Sequence, residues 1–416
     1  MVAEMSTLWT RIRGVHRDDG LQGVFLWCAR FPPNQIVRRT VEWRCLSSQD
    51  LRTSDALCLD VGHLEGDDTV RIVYSSEEQR QLFGRYPDVF KPSRPFICEI
   101  EDCDIVGPKA VALSDGRVIM DTVHLPRFDL NVLKEVGKSD IETSVLLDFL
   151  RALSGRPKTE ELFESEYVFP LVSQDVSYYH WIVEYLPKLR LLERYQTRTG
   201  HRPTILIEPS PRDYVVESLE LAGYGSNRYK QSKSVCQRAE TLVVPSHRNY
   251  TLNRHLPDRS AYDPSMSDLT WLRSRMRSKV GADSTGDSGE RIYVSRQQTG
   301  SNRGRRVVNY RELMDFLSER GFTSYALETL PFKKQVELFS DAQIIVGPHG
   351  AGLANMLFAD DPTVVELFPN DKQEPYFYHM ANMFGFDYTP VVADTKGNDL
   401  VVDVSSLQTR FDELRI

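Results

Sequence analysis

The stretch "IIVGPHGAGLANMLF", Ile344 to Phe358, decides how the rest of the chain is organised. With Gln343 it opens on "QIIV", a continuous β-branched run of the kind that forms a strand buried on both faces. Gly347, Gly350 and Gly352 come next, and then "LANMLF", apolar enough to be a buried helix. Glycine permits positive φ and lets another group approach the backbone closely. A strand, a glycine turn and a helix in this order aim backbone N–H groups and the positive helix end at one point, which suits a phosphate. His349 adds a donor to the same anion. The same residues also fit a tight turn whose glycines only relieve crowding, and the glycines alone do not choose. The spacing is neither GxGxxG nor GxxxxGK[ST], so neither a dinucleotide nor a P-loop fingerprint is present.

Outward from this stretch, strands and helices alternate. Around it run the strand "RIYVSR", the helix "NYRELMDFLSERG", the strand "TSYALET", the helix "PFKKQVELFSDA" and the strand "TVVELFP". An earlier series holds the helical "YYHWIVEYLPKLRLLERY", the strand "TILIE", the helix "PRDYVVESLELAGY" and the strand "ETLVVPS". A helix, "DPSMSDLTWLRSRMRSKV", and a flexible "GADSTGDSGE" join the two series. Such alternation implies parallel sheets covered by helices, with ligands bound at the carboxyl ends of the strands. Before residue 140 the texture is different: short strands, with a hairpin in "AVALSDGRVIMD" turning at Asp115-Gly116. The expected organisation is therefore an N-terminal segment (1–62) without clear pattern, a β-rich extension (63–140), two successive α/β domains (141–265 and 266–395) and a tail (396–416).

Bulk properties agree with this reading. A chain of 416 residues is too long for one ordinary core, and 41% hydrophobic residues make it globular. A net charge of −8 argues against non-specific nucleic-acid binding. No apolar run is long enough to span a bilayer, and "LQGVFLWCARF" lacks the form of a secretory signal. That stretch reads as an ordinary amphipathic element, with a peripheral membrane contact helped by Arg11, Arg13, Arg30, Arg38 and Arg39 as the sharper alternative. The six cysteines are scattered, with no CxxC pair, and read as plain thiols of a reducing cytoplasm. The histidines form no HExxH cluster, and Ser295 lies in no GxSxG elbow.

Three further places can carry chemistry. "YVSRQQTGSNRGRRVVN" puts Arg296 just past a strand end, with Arg303, Arg305 and Arg306 after it. These arginines fit either a bidentate diphosphate clamp or a solvated basic loop. Glu366 lies inside the apolar "TVVELFP" and needs partners, which sugar hydroxyls, backbone N–H groups or an arginine would supply. "DVSYYHWIVEYLPKL" holds Asp175, His180 and Glu184. His180 and Glu184 are i,i+4 neighbours, positioned either for general-base work or as a surface ion pair, and Pro187 should kink their helix.

Together these segments resemble glycosyltransferase family 61, which includes plant xylosyl- and arabinosyltransferases, animal O-GlcNAc-type transferases and bacterial and archaeal surface-glycan enzymes. The matching elements are "SYYHWIVEYLPKL", "IYVSR", "RRVVNYREL", "QVELFSDAQIIVGPHGAGLANMLF" and "VVELFP", in the family's order, over Tyr167 to Tyr388. Ser177 stands where the family has Asn before "YYHW", and Tyr310 where it has Glu. The resemblance implies a GT-B-like α/β fold: two facing Rossmann-like domains with a cleft between them, here with the N-terminal β-rich extension added. It implies transfer with inversion from a nucleotide sugar, usually a UDP-sugar, without a metal or other cofactor. The acceptor would be a glycan, lipid-linked glycan or glycoprotein of a cell surface, handled in the cytoplasm or at the inner face of the membrane. By resemblance His349, Gly350, Ala351 and Gly352 face the diphosphate, Arg296 and Arg306 face its oxygens, and Glu366 meets a ribose or other donor hydroxyl. The acceptor base is then among His180, Glu184 and Asp175, ranked in that order. A non-catalytic glycan- or nucleotide-binding scaffold is the alternative, and an oxidoreductase or phosphotransferase ranks last because both glycine fingerprints are missing.

Overall fold

In a computed structural model of the chain the apolar runs become two large sheets, beside a small one that pairs Val70–Arg71 with Val89–Phe90. The structure describes residues 69–122 except 87, 91 and 93, then 161–172, 177–246, 265–280, 291–297 and 304–416, with short pieces at 45–46, 51 and 57–60. Asp175, Arg303, "LQGVFLWCARF" and "GADSTGDSGE" lie outside the described residues.

The first sheet has ten strands. One half is antiparallel: β1 (Phe96–Val106), β2 (Val111–Ser114) and β3 (Arg117–Ile119). β2 and β3 form the expected hairpin, with Asp115 and Gly116 at φ 48° and 73°, as a tight two-residue hairpin turn requires. The other half is parallel: β4 (Tyr167–Pro170), β5 (Thr204–Ile207) and β6 (Tyr229–Gln231). β7 (Cys236–Pro245) joins them, antiparallel to β1 and parallel to β4. Short strands at Cys45–Leu46, Leu57–Asp60 and Glu161–Leu162 complete the sheet. Strands expected in the β-rich extension therefore share a sheet with those expected in the first α/β domain. Cys98, Ile100, Val168, Leu206, Leu242 and Val244, drawn from both halves, are buried in one cluster.

The second sheet contains β8 (Arg291–Val294), β9 (Thr323–Tyr325), β10 (Ile344–Pro348), β11 (Thr363–Pro369), β12 (Asp387–Lys396) and β13 (Asp399–Val401). Their order across the sheet is β9-β8-β10-β11-β12-β13, all parallel except the last pair. The chain leaves β8 to one side for β9 and returns to its other side for β10. The gap between the carboxyl ends of β8 and β10 is thus the switch point where open α/β sheets bind ligands. Residues 396–416, expected as a tail, instead supply β13 and a helix whose Leu407 and Phe411 share a core with Val346 and Val365.

The helices are α1 (Glu77–Phe83), α2 (Tyr178–His180), α3 (Leu189–Thr199), α4 (Asp213–Leu221), α5 (Met266–Val280), α6 (Tyr310–Ser318), α7 (Phe332–Ser340), α8 (Tyr376–Phe384) and α9 (Val404–Leu414). Two sheets with these intervening helices are consistent with a GT-B-like pair of Rossmann-like units. One hydrophobic cluster runs between them, from Trp181 and Leu186 on one side to Leu353 and Phe358 on the other. α1 comes from the segment expected to be β-rich, yet it packs beside the second sheet. Phe83 is fully buried there, stacked on Tyr378 at 4.6 Å and tilted against Phe368 at 5.8 Å.

The expectation of plain thiols is corrected at one position: Cys98 is disulfide-bonded, while Cys103 and Cys236 are free and buried. A disulfide withdraws the cysteine argument for a reducing compartment. Among the described residues no helix is long and apolar enough to cross a membrane.

Candidate functional site

The site begins where β8 and β10 end side by side. A Cβ on Gly347 would lie 3.0 Å from Val294 Cβ, and one on Gly352 would lie 3.1 Å from Val294 Cγ1. These two glycines let the strand ends close on each other. Gly350 answers to a different neighbour: its Cβ would fall 2.1 Å from Arg296 Nη1. Its φ of 168° is extended backbone that any residue adopts, so what the position demands is room. The Arg296 side chain lies directly across Gly350. The glycines do relieve crowding, as one sequence reading had it, but at Gly350 the crowding group is a guanidinium. The helix that follows, Ala351–Phe358, is a 3₁₀ helix with Leu353 through Phe358 buried.

His349 sits in the same turn, almost wholly buried. Its backbone N–H continues the sheet by donating to Leu367 O at 2.8 Å, and Arg305 Nη1 donates to its carbonyl at 2.9 Å. Its Nδ1 is 2.5 Å from Glu366 Oε1, and Tyr388 donates its hydroxyl to Glu366 Oε2, also at 2.5 Å. β10 and β11 run in register with Gly347 opposite Glu366, which is what carries this carboxylate under the histidine. On the other side of the ring, Nε2 is 3.8 Å from Glu374 Oε2. Burial works against an imidazolium here, but Glu366 and then Glu374 outweigh it and hold the His349 pKa above its ordinary value. Glu374 is correspondingly held down to about 2 against its own partial burial, by His349 and Lys372. Burial beside Glu366 pushes the Tyr388 phenol well up, so it remains a donor.

The second pair lies on the helical run from Tyr178 to Thr199. That run is broken as Pro187 leads one to expect: α2, a π segment (Trp181–Tyr185), a 3₁₀ turn (Leu186–Lys188) and then α3. The Leu186 N–H bonds back five residues to Trp181 O, just before the proline that cannot donate. Trp181 to Leu189 are all buried, so this is no surface helix. His180 Nδ1 is 2.6 Å from Glu184 Oε1, the histidine side chain 26% exposed and the glutamate 0%. The surface ion pair is thereby excluded as a description of Glu184. Lys188, one turn on, is pushed down to about 8 by burial, against the opposing pull of Asp121 and Glu184.

Aromatic rings and one hydrogen bond connect the two pairs. Tyr179 lies 5.5 Å from the His180 ring, 5.5 Å from Tyr376 and 5.6 Å from Phe377, centroid to centroid. Phe377 and Tyr376 in turn lie 5.5 and 6.4 Å from His349. Tyr178 donates to Asn355 Oδ1 at 2.6 Å, and Asn355 Nδ2 donates to Gln335 Oε1 at 3.0 Å. The "YYHW" segment is thus fixed directly on the helix that follows "HGAG".

The residues singled out from the sequence therefore fall into groups. His349, Gly350 and Arg296 come together at the switch point, with Ala351 and Gly352 partly exposed beside them. His180 and Glu184 pair across the intervening rings. Arg306 is exposed at the edge of the second sheet, where its backbone pairs with Leu400 and Asp399. Arg305 is the neighbour that reaches the turn, turned inward on a backbone of positive φ (67°). Glu366 is fully buried with a contact on each oxygen, a geometry that suits orienting His349. Tyr388 and Glu374 escape sequence reading, and Arg305 is not told apart from its arginine neighbours, because their partners are set by sheet register and loop path. Among the described residues no group of three or more His, Cys, Asp or Glu is placed to hold a metal ion.

Comparison with known proteins bears on the same stretch. The family profile described as Glycosyltransferase 61 matches residues 178–365, from "YYHW" to the strand that carries Glu366. The chain is similar to the EGF domain-specific O-linked N-acetylglucosamine transferase of Gallus gallus, at 30% identity over 89 residues, covering 20% of this chain and 17% of that protein. It is also similar to the Beta-1,2-xylosyltransferase of Arabidopsis thaliana, at 27% identity over 110 residues, covering 23% of this chain and 21% of that protein. The aligned part spans only about a fifth of the length of these curated relatives. Over residues 178–365, which hold both the "YYHW" and the "HGAG" elements, the chain is therefore similar to the glycosyltransferase 61 family.

Proposed function

We propose that the protein transfers a sugar from a UDP-sugar to a hydroxyl of a glycan, lipid-linked glycan or glycoprotein, with inversion and without a metal. The observation that carries this reading is the Arg296 guanidinium lying across Gly350, next to His349, at the carboxyl ends of β8 and β10. A leaving diphosphate develops charge as the bond to the sugar breaks, and fixed cations at that spot stabilise it most in the transition state. Arg296 and Arg305 supply permanent charge, and Glu366, itself held by Tyr388, orients His349 and favours its protonated form. The names of the two relatives support a sugar donor and a glycan or protein acceptor in general terms.

On this reading His180 is the acceptor base. Its Nδ1 lies at hydrogen-bond distance from Glu184, which orients the ring, and on this reading its Nε2 takes the proton of the acceptor hydroxyl. The acceptor oxygen forms the new bond to the anomeric carbon, the carbon–phosphate oxygen bond breaks, and its electron pair leaves on the nucleoside diphosphate. Glu184 stabilises the imidazolium that results. Asp175 remains a base candidate by position in the sequence.

The test has two parts. Wild-type protein should bind UDP in a calorimeter and Arg296→Ala should lose most of that affinity. In a mass-spectrometric donor screen, His180→Ala should abolish UDP release from the accepted donor while UDP binding survives. Full turnover in His180→Ala and Glu184→Ala would move the base elsewhere. UDP binding without turnover of any donor would favour the scaffold alternative.

A further inference from the structure

His349 is flanked by two carboxylates that are not equivalent. Glu366 is fully buried, at hydrogen-bond distance, and shared with Tyr388. Glu374 is 27% exposed, 3.8 Å from Nε2, and pairs with Lys372 Nζ at 3.1 Å. A separation of 3.8 Å is beyond a hydrogen bond, so Glu374 contributes charge without a committed contact. We propose that Glu374 is an internal occupant of the diphosphate seat, a carboxylate that holds the anion position beside His349 until a diphosphate displaces it. The proposal rests on the donor-site reading above and names what occupies that site at rest.

Charge balance leads to this inference. Glu366 already neutralises His349. A second carboxylate fixed on the same ring would remove a full positive charge from the place where a diphosphate must settle. Glu374 is built to leave: Lys372, 66% exposed, keeps it paired when it turns outward. Its loop is held independently of its side chain, because Arg85 and Tyr86 both donate to Gln373 O and Gln373 Nε2 donates to Pro369 O. A side-chain rotation therefore suffices, and the backbone of the turn can stay in place. While resident, Glu374 faces His349 as an anion would and keeps the seat from standing open to other anions. Every donor must outcompete it, and every released diphosphate is pushed off by its return.

Glu374→Gln keeps the shape and removes the charge. It should bind inorganic pyrophosphate and UDP roughly three- to tenfold more tightly than wild type by calorimetry, with the difference shrinking at high salt. The His349 ring, followed by proton NMR, should titrate at a lower pH in this variant. If wild type binds pyrophosphate and Glu374→Gln binds it equally or more weakly, Glu374 is no placeholder, and the donor-site reading stands. If neither protein binds pyrophosphate or UDP, the donor-site reading fails and takes the placeholder with it.

Discussion

The chain builds a histidine–glutamate pair twice, with nearly the same separation and opposite surroundings. His180 and Glu184 are four residues apart on one helical run, and the histidine keeps a quarter of its side-chain surface open. His349 and Glu366 meet across two adjacent strands, and the histidine is 8% exposed, with a second carboxylate on its far nitrogen. A buried imidazole between two carboxylates is held still and is favoured in its charged form. One buttressed by a buried carboxylate and left partly open can exchange a proton. The same two side chains thus suit opposite tasks, and enclosure decides which.

The largest effect should come from the open pair. His180→Ala should lower kcat by about 10²- to 10⁴-fold, the usual contribution of a general base, with unchanged UDP affinity. A loss confined to UDP affinity would instead make His180 a donor ligand and collapse the contrast. At the enclosed pair the effect should be on folding. Glu366→Ala strands the His349 charge and the Tyr388 hydroxyl inside the protein and should cost about 3–5 kcal/mol in urea unfolding. Arg296→Ala should weaken UDP binding about 10- to 100-fold, the worth of charged hydrogen bonds to a phosphate. Gly350→Ala should reproduce much of that loss, because its methyl takes the guanidinium's place.

The pH dependence separates the pairs more gently. His349 has a raised pKa in the folded protein, so its pairing contributes in full below its unfolded value near 6.5 and is lost as pH rises through the folded value. UDP affinity and stability should therefore both decline on the alkaline side, and Glu366→Gln should bring the decline in UDP affinity to lower pH. A flat affinity profile across that range would show that His349 does not serve as a cation in the seat. The smallest effect is expected at the link between the pairs. Tyr178→Phe, which loses the hydrogen bond to Asn355, should cost about 1 kcal/mol of stability. If it lowers turnover more than stability, the two pairs depend on that link for alignment.

Much of the fold is legible along the chain because periodicity is local. The strands at Thr204–Ile207, Arg291–Val294 and Ile344–Pro348 and the hairpin at Asp115-Gly116 fall where composition and turn chemistry put them. The helix break before Pro187 is legible for the same reason, since a residue without an N–H ends the bonding pattern wherever it sits. Placement of α1 against Tyr378 is not legible, because nothing in "EEQRQLF" says which distant surface Phe83 will fill. The disulfide at Cys98 is equally hidden, since scattered spacing is silent about which strands pair.

For the site, the sequence by itself determined that Arg296, His349 and the glycines stand at the ends of β8 and β10, and that His180 and Glu184 share a helix face. Those facts follow from neighbours a few positions apart. Only the tertiary structure decided that Gly350 is small to admit Arg296, that Arg305 and not Arg306 reaches the turn, and that Glu366 serves His349. Each of these depends on strand register and on how closely two backbones approach, and a linear pattern carries neither.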